Sequence, residues 1–278
     1  MANKVKVTCL VSNSVMVDSK YRAEHALALL VEVGMTRILF DTGSNSDILQ
    51  HNAKIMDYDL SRIKVIVLSH GHQDHTGGLE WLLTQSRQPM VISDQAIFSK
   101  KSVREGKEYK STGMVMTRDK LQSQAQLQLV ETPYAIAQGI YASGRIPRSV
   151  AFEVPQEKYL MENNLMLEVD MFNEERALFV EAEKGLVVLT GCCHIGINNT
   201  LAHALKTYQK PILSVIGGLH LSDALPDKVN KTATMLREKF KPGSMHLTHC
   251  TGTEPMIALR NALGASVKDL PVGTVLDF

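Results

Sequence analysis

The chain is 278 residues long, 44% hydrophobic and 21% charged, with a formal net charge of +1. Lys+Arg of 30 against Asp+Glu of 29 leaves no global field to draw in nucleic acid or an anionic membrane. No apolar run approaches the ~18 residues that a bilayer-spanning helix needs, and residues 1–13 are too short and too polar for a secretion signal. The four cysteines are too scattered for a disulfide framework, so the composition reads as a cytoplasmic globular protein able to bury a real core.

In chain order, Val5, Val7 and Cys9 alternate with Lys4, Lys6 and Thr8, the period of a half-buried strand. An apolar run over 25–33, stopped at Gly34, and a second over 37–40, ended by Asp41-Thr42-Gly43, predict two more strands. Ser46 is placed to cap a helix to about Lys54, with Asp47 favourable to the helix dipole. The β-branched run 63–68 lacks a helical period and predicts a buried strand. Ser69-His-Gly-His-Gln-Asp-His-Thr-Gly-Gly follows at once, and a helix restarts at Leu79.

The middle of the chain is marked by charge. Residues 99–120 are rich in Lys and Arg, and 153–183 in Asp and Glu. Both read as solvated faces of an insertion around 99–183, or as substrate-steering surface. Their charges cancel if they touch, either within the chain or across a homodimer. No composition break marks a second domain, so residues 1–278 read as one domain carrying that insertion.

The last third regains its rhythm. Residues 185–190 predict a buried strand ending in Gly191-Cys192-Cys193-His194, and Asn198 or Asn199 caps a helix to about Tyr208. The strand 211–216 ends in Gly217-Gly218-Leu219-His220. A helix over 228–239 leads to a strand over 245–248, then to His249-Cys250-Thr251-Gly252, a helix over 254–263 and a final strand over 274–278. This alternation predicts sheets covered by helices, and strands ending in His- or Asp-bearing turns predict a site on the sheet rim.

Three of the ten histidines fall within six residues, in His70-x-His72-x-Asp74-His75. Three imidazoles and a carboxylate form a ligand set for a divalent transition metal. On a helix they would point around most of the circumference; on a loop after a strand they converge. Gly71, Gly77 and Gly78 give the backbone freedom to fold that way. So many titratable groups behind a buried strand cost free energy unless something pairs with them. The bland alternative is a solvated loop that happens to be rich in His.

The segment from Ser69 to Gly78 resembles the signature motif of the metallo-β-lactamase superfamily, and Leu39-Phe-Asp-Thr-Gly resembles its first motif. Four further segments resemble a narrower branch: Ser143-Gly-Arg-Ile-Pro-Arg, Gly185-Leu-Val-Val-Leu-Thr-Gly-Cys-Cys-His-Ile-Gly-Ile, Gly217-Gly-Leu-His-Leu and His249-Cys-Thr-Gly. That branch comprises metal-dependent hydrolases and dihydropterin-6-methyl-(ribofuranosyl)aminobenzene 5'-phosphate synthase-like proteins. The likeness spans nearly the whole chain and is weakest in the charged middle. It implies an α+β fold, a four-layer αββα sandwich with one or two divalent metal ions at one edge of the paired sheets.

By this resemblance His70 and His72 bind one metal, and Asp74 and His75 the second. Asp41 orients a ligand or the bound water, and it also suits a turn-capping role; Asp74, Asp41 and His220 are the candidate catalytic residues. The third-motif His of many relatives has no counterpart in 143–148, and His194 could supply the missing imidazole. Cys192 is a ligand or an ordinary small hydrophobe, and Cys193 reads as the latter. His249 matches the last ligand position, whereas His246 reads as structural. His220 is a ligand, a substrate-contacting acid or a hydrogen-bonded support.

Arg145 and Arg148 suit a phosphate or carboxylate on the substrate, or else cap carbonyls or pair with Glu153. His25 reads as a core or rim histidine, and His51 and His203 lie on predicted helices. Such a site suits metal-dependent hydrolysis of an ester, phosphoester or related bond in a small anionic substrate. Flavodiiron relatives carry Glu where this chain has His72, which favours zinc over iron or manganese. Two other readings stand beside it: a pterin-pathway transferase or synthase, and a non-catalytic metal- or ligand-binding module.

Overall fold

The computed structural model describes residues 4–278; residues 1–3, where the stretch read for a secretion signal begins, lie outside it. The chain opens with an antiparallel meander of β1 (Val5–Val11), β2 (Ala28–Val33) and β3 (Thr36–Phe40). α1 (Ser46–Ile55), β4 (Val65–Val67), the short α2 (Gln73–Thr76), α3 (Leu79–Gln85) and β5 (Met90–Ser93) follow. The middle holds β6 (Lys101–Glu105), β7 (Glu108–Ser111), α4 (Arg118–Gln124), β8 (Gln126–Leu129), β9 (Tyr134–Ala137), β10 (Ile140–Ala142), β11 (Tyr159–Asn163) and β12 (Met166–Val169). The last third runs through β13 (Leu178–Ala182), β14 (Gly185–Thr190), α5 (Ile197–Tyr208), β15 (Ile212–Gly217) and α6 (Pro226–Met235). It closes with β16 (Ser244–Leu247), α7 (Thr253–Leu263), β17 (Val267–Asp269) and β18 (Val275–Asp277).

Two seven-stranded sheets result, in the orders β18-β1-β2-β3-β4-β5-β8 and β17-β16-β15-β14-β13-β10-β9. Alternation along each strand decides how they stack. Leu29, Val31, Phe40 and Val67 face Leu178, Val187, Leu189 and Ile216 in a core between the sheets. The opposite-facing Leu30, Leu39 and Ile66 pack under α1 and α3 through Leu49, Ala53, Leu79 and Leu82. Val188 and Val215 pack under α5–α7 through Leu201, Ala204, Ala233 and Leu259. The outcome is the αββα sandwich of the α+β class. Helices cover both sheets, so β2 and β14 are apolar at nearly every position. The same cover corrects the half-buried reading of β1, which is buried on both faces from Val7 onward.

Topology aims the site. β3, β4, β5 and β8 run parallel in one sheet, and β14, β15, β16 and β17 run parallel in the other. The carboxyl ends of β3, β4, β14, β15 and β16 come together at one edge of the sandwich. That is where open α/β sheets hold ligands.

The strands of the range 99–183 divide among three sheets. β12-β11-β6-β7 form a separate four-stranded sheet, but β8, β9, β10 and β13, inside the same range, belong to the two large sheets. The opposite charges meet within the chain: Lys100 lies 3.0 Å from Glu162, and Lys101 lies 2.5 and 2.7 Å from Asp170 and Glu174. Nor are these faces simply solvated. Lys101, Glu153, Asp170, Glu174, Glu175 and Arg176 are each at most 3% exposed. Burial of such charges is tolerated only with partners, and each is paired or hydrogen-bonded. No helix among the described residues is long and apolar enough to cross a membrane.

Candidate metal centre

The loop after β4 places His70 and His72, and α2 carries Asp74 and His75. The glycines there act by close approach rather than by unusual backbone angles. Gly77 and Gly78 have ordinary negative φ, but a Cβ on them would lie 2.1 and 2.2 Å from the carbonyl oxygens of Ser44 and Thr42. The turn can therefore pack against the segment after β3, where Asp41 sits. Asp41 is fully buried and accepts three hydrogen bonds at 2.7 Å, from the Ser69 N–H, the Ser69 hydroxyl and His75 Nδ1. It stands behind His75 and acts through it.

These bonds fix tautomers. With Nδ1 donating to Asp41, the neutral His75 ring has its lone pair on Nε2. The Ser69 hydroxyl proton goes to Asp41, so Ser69 Oγ accepts from His70 Nδ1 at 2.9 Å. His70 thus also presents a bare Nε2. Gly191 makes room for this relay, since a Cβ there would meet Ser69 Oγ at 2.1 Å.

Two sets of donors result. In the first, His70, His72 and His194 bring their ligand nitrogens within 4.8 Å of one another. All three Nε2 atoms are buried without a hydrogen-bond partner. Burial holds His70 and His194 well below the ordinary imidazole value, and pushes His72 down to about 3. Three neutral imidazoles with converging nitrogens that find no partner among the described residues fit a divalent ion.

In the second set, Asp74, His75, Cys192 and His249 converge. His75 Nε2 lies 3.2 Å from His249 Nε2 and 3.2 Å from Cys192 Sγ. Asp74 Oδ2 is 3.2 Å from His249 Nε2. Against burial, which would lower it, the carboxylates of Asp74 and Asp41 raise His75 to about 9. Against burial, which would raise it, His75 and His249 hold Asp74 well below the usual carboxylate range. Burial pushes the Cys192 thiol well up. The pocket attracts positive charge, and an ion there would have to displace protons from His75 and Cys192.

His220 flanks both sets, its ring centroid 4.0 Å from that of His194, with both ring nitrogens unpartnered. With Cys192 and His194 it makes a third group of possible ligands. Backbone strain concentrates here. Asp41, Phe172, Cys193, His220 and His249 all have φ between 49 and 66°, a cost that persists only where the surroundings enforce it.

Other candidates lie elsewhere. Arg145 is held by Asp94 at 2.8 Å and Glu131 at 3.0 Å, and Arg148 donates to the carbonyls of Glu153, Ile195 and Met171. These contacts match the structural alternative, although Arg148 Nε has no partner among the described residues. His51 and His203 bond the carbonyls of Lys20 and Ser143. His246 is buried within β16.

Sequence reasoning passed over several supports. Phe172 stacks flat on His194, 3.8 Å between centroids, and meets His72 edge-on at 5.4 Å. Glu175 accepts the N–H groups of His194 and Ile195 and so pins the turn after β14. Tyr159, from the charged sheet, packs against His72, His194 and His220. Nothing in the local composition of 153–183 distinguishes these from solvated residues. On the far side, a groove of about 750 Å³ leads away from His249 and His25, walled by Val15, Met16, Val17, Met256 and Ile257.

Residues 21–120, which carry the His70–His75 loop, match the family described as the metallo-beta-lactamase superfamily. A solved structure described as Tm1679, a metal-dependent hydrolase of the beta-lactamase superfamily, superposes with a TM-score of 0.85 over 99% of both chains at 26% identity. The chain has the metallo-β-lactamase fold, and its residues 21–120 match that superfamily. It is also similar to two proteins of Methanocaldococcus jannaschii. One is 7,8-dihydropterin-6-methyl-4-(beta-D-ribofuranosyl)-aminobenzene-5'-phosphate synthase, 26% identical over 99% of this chain and 97% of that protein. The other is an uncharacterized protein, 29% identical over 86% of this chain and 89% of its own length.

Proposed function

We propose that this metallo-β-lactamase-fold protein is a metal-dependent hydrolase of a small, anionic substrate. The observation that carries the reading is the convergence of the bare, buried Nε2 atoms of His70, His72 and His194 beside the Asp74–His75–Cys192–His249 set. His70, His72 and His194 would hold one divalent ion, and Asp74, His75, Cys192 and His249 a second, with zinc as the expected metal for an N/S/O donor set. When bound, such ions supply Lewis acidity and a nucleophile at neutral pH.

The protein's own groups do the rest. Asp41 and Ser69 hold two imidazoles in ligand tautomers, and Phe172 and Tyr159 wall off the first set with aromatic rings. Asp74, still 22% exposed, faces the open side where substrate enters. The groove beyond His249 accommodates the body of the substrate.

A screen of phosphodiesters, thioesters and lactones, with zinc, manganese or iron added back, tests the reading. At least one class is expected to turn over, and His72→Ala to lower kcat/KM by about 100-fold or more. Activity untouched by that substitution would overturn it.

The full-length similarity to the pterin-pathway synthase supports a second reading, a transferase or synthase acting on a flat heterocycle. The groove has room for such a ring, but it lies by His25 and His249 rather than near Arg145 and Arg148. Binding of a pterin at millimolar concentration, with no turnover in the hydrolase screen, would favour this second reading.

A further inference from the structure

His25 has no assigned chemistry, yet it stands at the open side of the centre. Its side chain is 69% exposed, its ring centroid lies 4.5 Å from that of His249, and its Nε2 is 3.8 Å from Asp74 Oδ2. Asn13 ties the two rings together. Its Oδ1 lies 3.0 Å from His249 Nδ1, and its Nδ2 lies 3.0 Å from His25 Nδ1.

An amide oxygen only accepts and an amide nitrogen only donates. His249 therefore carries its proton on Nδ1, and neutral His25 carries its proton on Nε2. One side chain sets both tautomers. His249 keeps a lone pair for the metal set, while His25 presents an N–H that Asp74, at 3.8 Å, is too far away to accept. Both rings line the same groove. A substrate with its scissile group at the centre and its body in the groove must cross the face of His25.

We propose that His25 is a substrate-contacting residue, donating its Nε2–H to an oxygen of a phosphate or carboxylate at the mouth of the groove, with Asn13 as the positioning residue that fixes its tautomer. The assignment rests on the metal-dependent reading above. It also supplies an anion contact beside the centre, where Arg145 and Arg148 are held by Asp94 and by the Glu153 carbonyl. A hydrogen bond to a charged acceptor is worth about tenfold to a hundredfold in affinity.

The test uses the full chain loaded with zinc and inorganic phosphate as the probe. Calorimetry on His25→Ala is expected to show phosphate binding weakened about tenfold or more, with His25→Gln, which keeps an N–H donor, recovering most of it. Zinc content is expected to be unchanged in both variants. Long-range ¹⁵N–¹H spectra are expected to show His25 protonated on Nε2 and His249 on Nδ1, and Asn13→Ala to mix the His25 tautomers. Phosphate affinity within about twofold of wild type in His25→Ala would overturn the assignment. So would loss of zinc in that variant, or a His25 protonated on Nδ1. The two readings fail differently. A wild-type protein without zinc overturns the metal reading and this one with it, whereas zinc-loaded protein indifferent to His25 overturns this one alone.

Discussion

Hydrogen-bonded carboxylates behind metal-binding imidazoles fix ring orientation and tautomer, and Asp41 does so for His75 directly and for His70 through Ser69. Asp41→Asn puts an amide that can donate where the acceptor stood, so one of its three partners loses its bond. Affinity for the ion at the His75 set is expected to fall about 10- to 100-fold, measured by competition with a chromophoric chelator. Unchanged affinity would show that the relay does not reach the ligand.

The titration of His75 gives a second test. Its value in the metal-free protein, raised to about 9 from an ordinary 6.5, stabilises the folded chain fully below pH 6.5, and that contribution is lost as pH rises through about 9. Metal needs the unprotonated ring. The difference in thermal midpoint between zinc-loaded and metal-free protein is therefore expected to widen from pH 6.5 to 9. A difference that narrows over that range would contradict the assignment of His75 as a ligand. At this scale the sequence was legible where chemistry is encoded in spacing, as in His70–His75. It was mute on Asn13, Phe172 and Glu175, whose roles exist only once distant segments touch.

Helix α5 shows the same limit one level up. Its extent was readable from periodicity, and Asn198 or Asn199 was the expected cap. The helix in fact begins at Ile197, and two N–H groups of its first turn, those of Asn198 and Asn199, are taken by the carboxylate of Glu153. The cap comes from a segment 45 residues away. Asn199 is itself turned out to bond the backbone of Ser149 and Val150. Glu153→Ala removes the cap and leaves buried donors unpaired. It is expected to lower stability by about 1–3 kcal/mol, read from the shift of a urea midpoint. A midpoint within error of wild type would mean that water replaces the carboxylate there. Strand ends were easier to read than caps, because Asp41, His70, Cys192, His220 and His249 each follow an apolar run closely. Which of those ends would meet was not, since that depends on the order of strands in the two sheets.

Across the whole molecule, the donors come from both halves of the sandwich: His70, His72, Asp74 and His75 from one sheet, and Cys192, His194, His220 and His249 from the other. An ion bound between them ties the two sheets at one edge. Zinc at 100 times its dissociation constant is expected to raise folding stability by about 2.7 kcal/mol, seen as a higher thermal midpoint that chelator reverses. The charged segments, which looked from composition like solvated or steering surface, keep exposed strands at β7 and β12 but also build a third sheet whose Tyr159 reaches the imidazoles. Near-neutral net charge had concealed pairs that cancel locally, such as Lys101 with Asp170 and Glu174.

The central claim is a two-ion centre, and metal stoichiometry after loading and desalting tests it most directly. About two equivalents of a divalent transition metal are expected in the wild type, and about one in either His72→Ala or His249→Ala. Less than about half an equivalent in the wild type, or a content indifferent to both substitutions, would contradict the account.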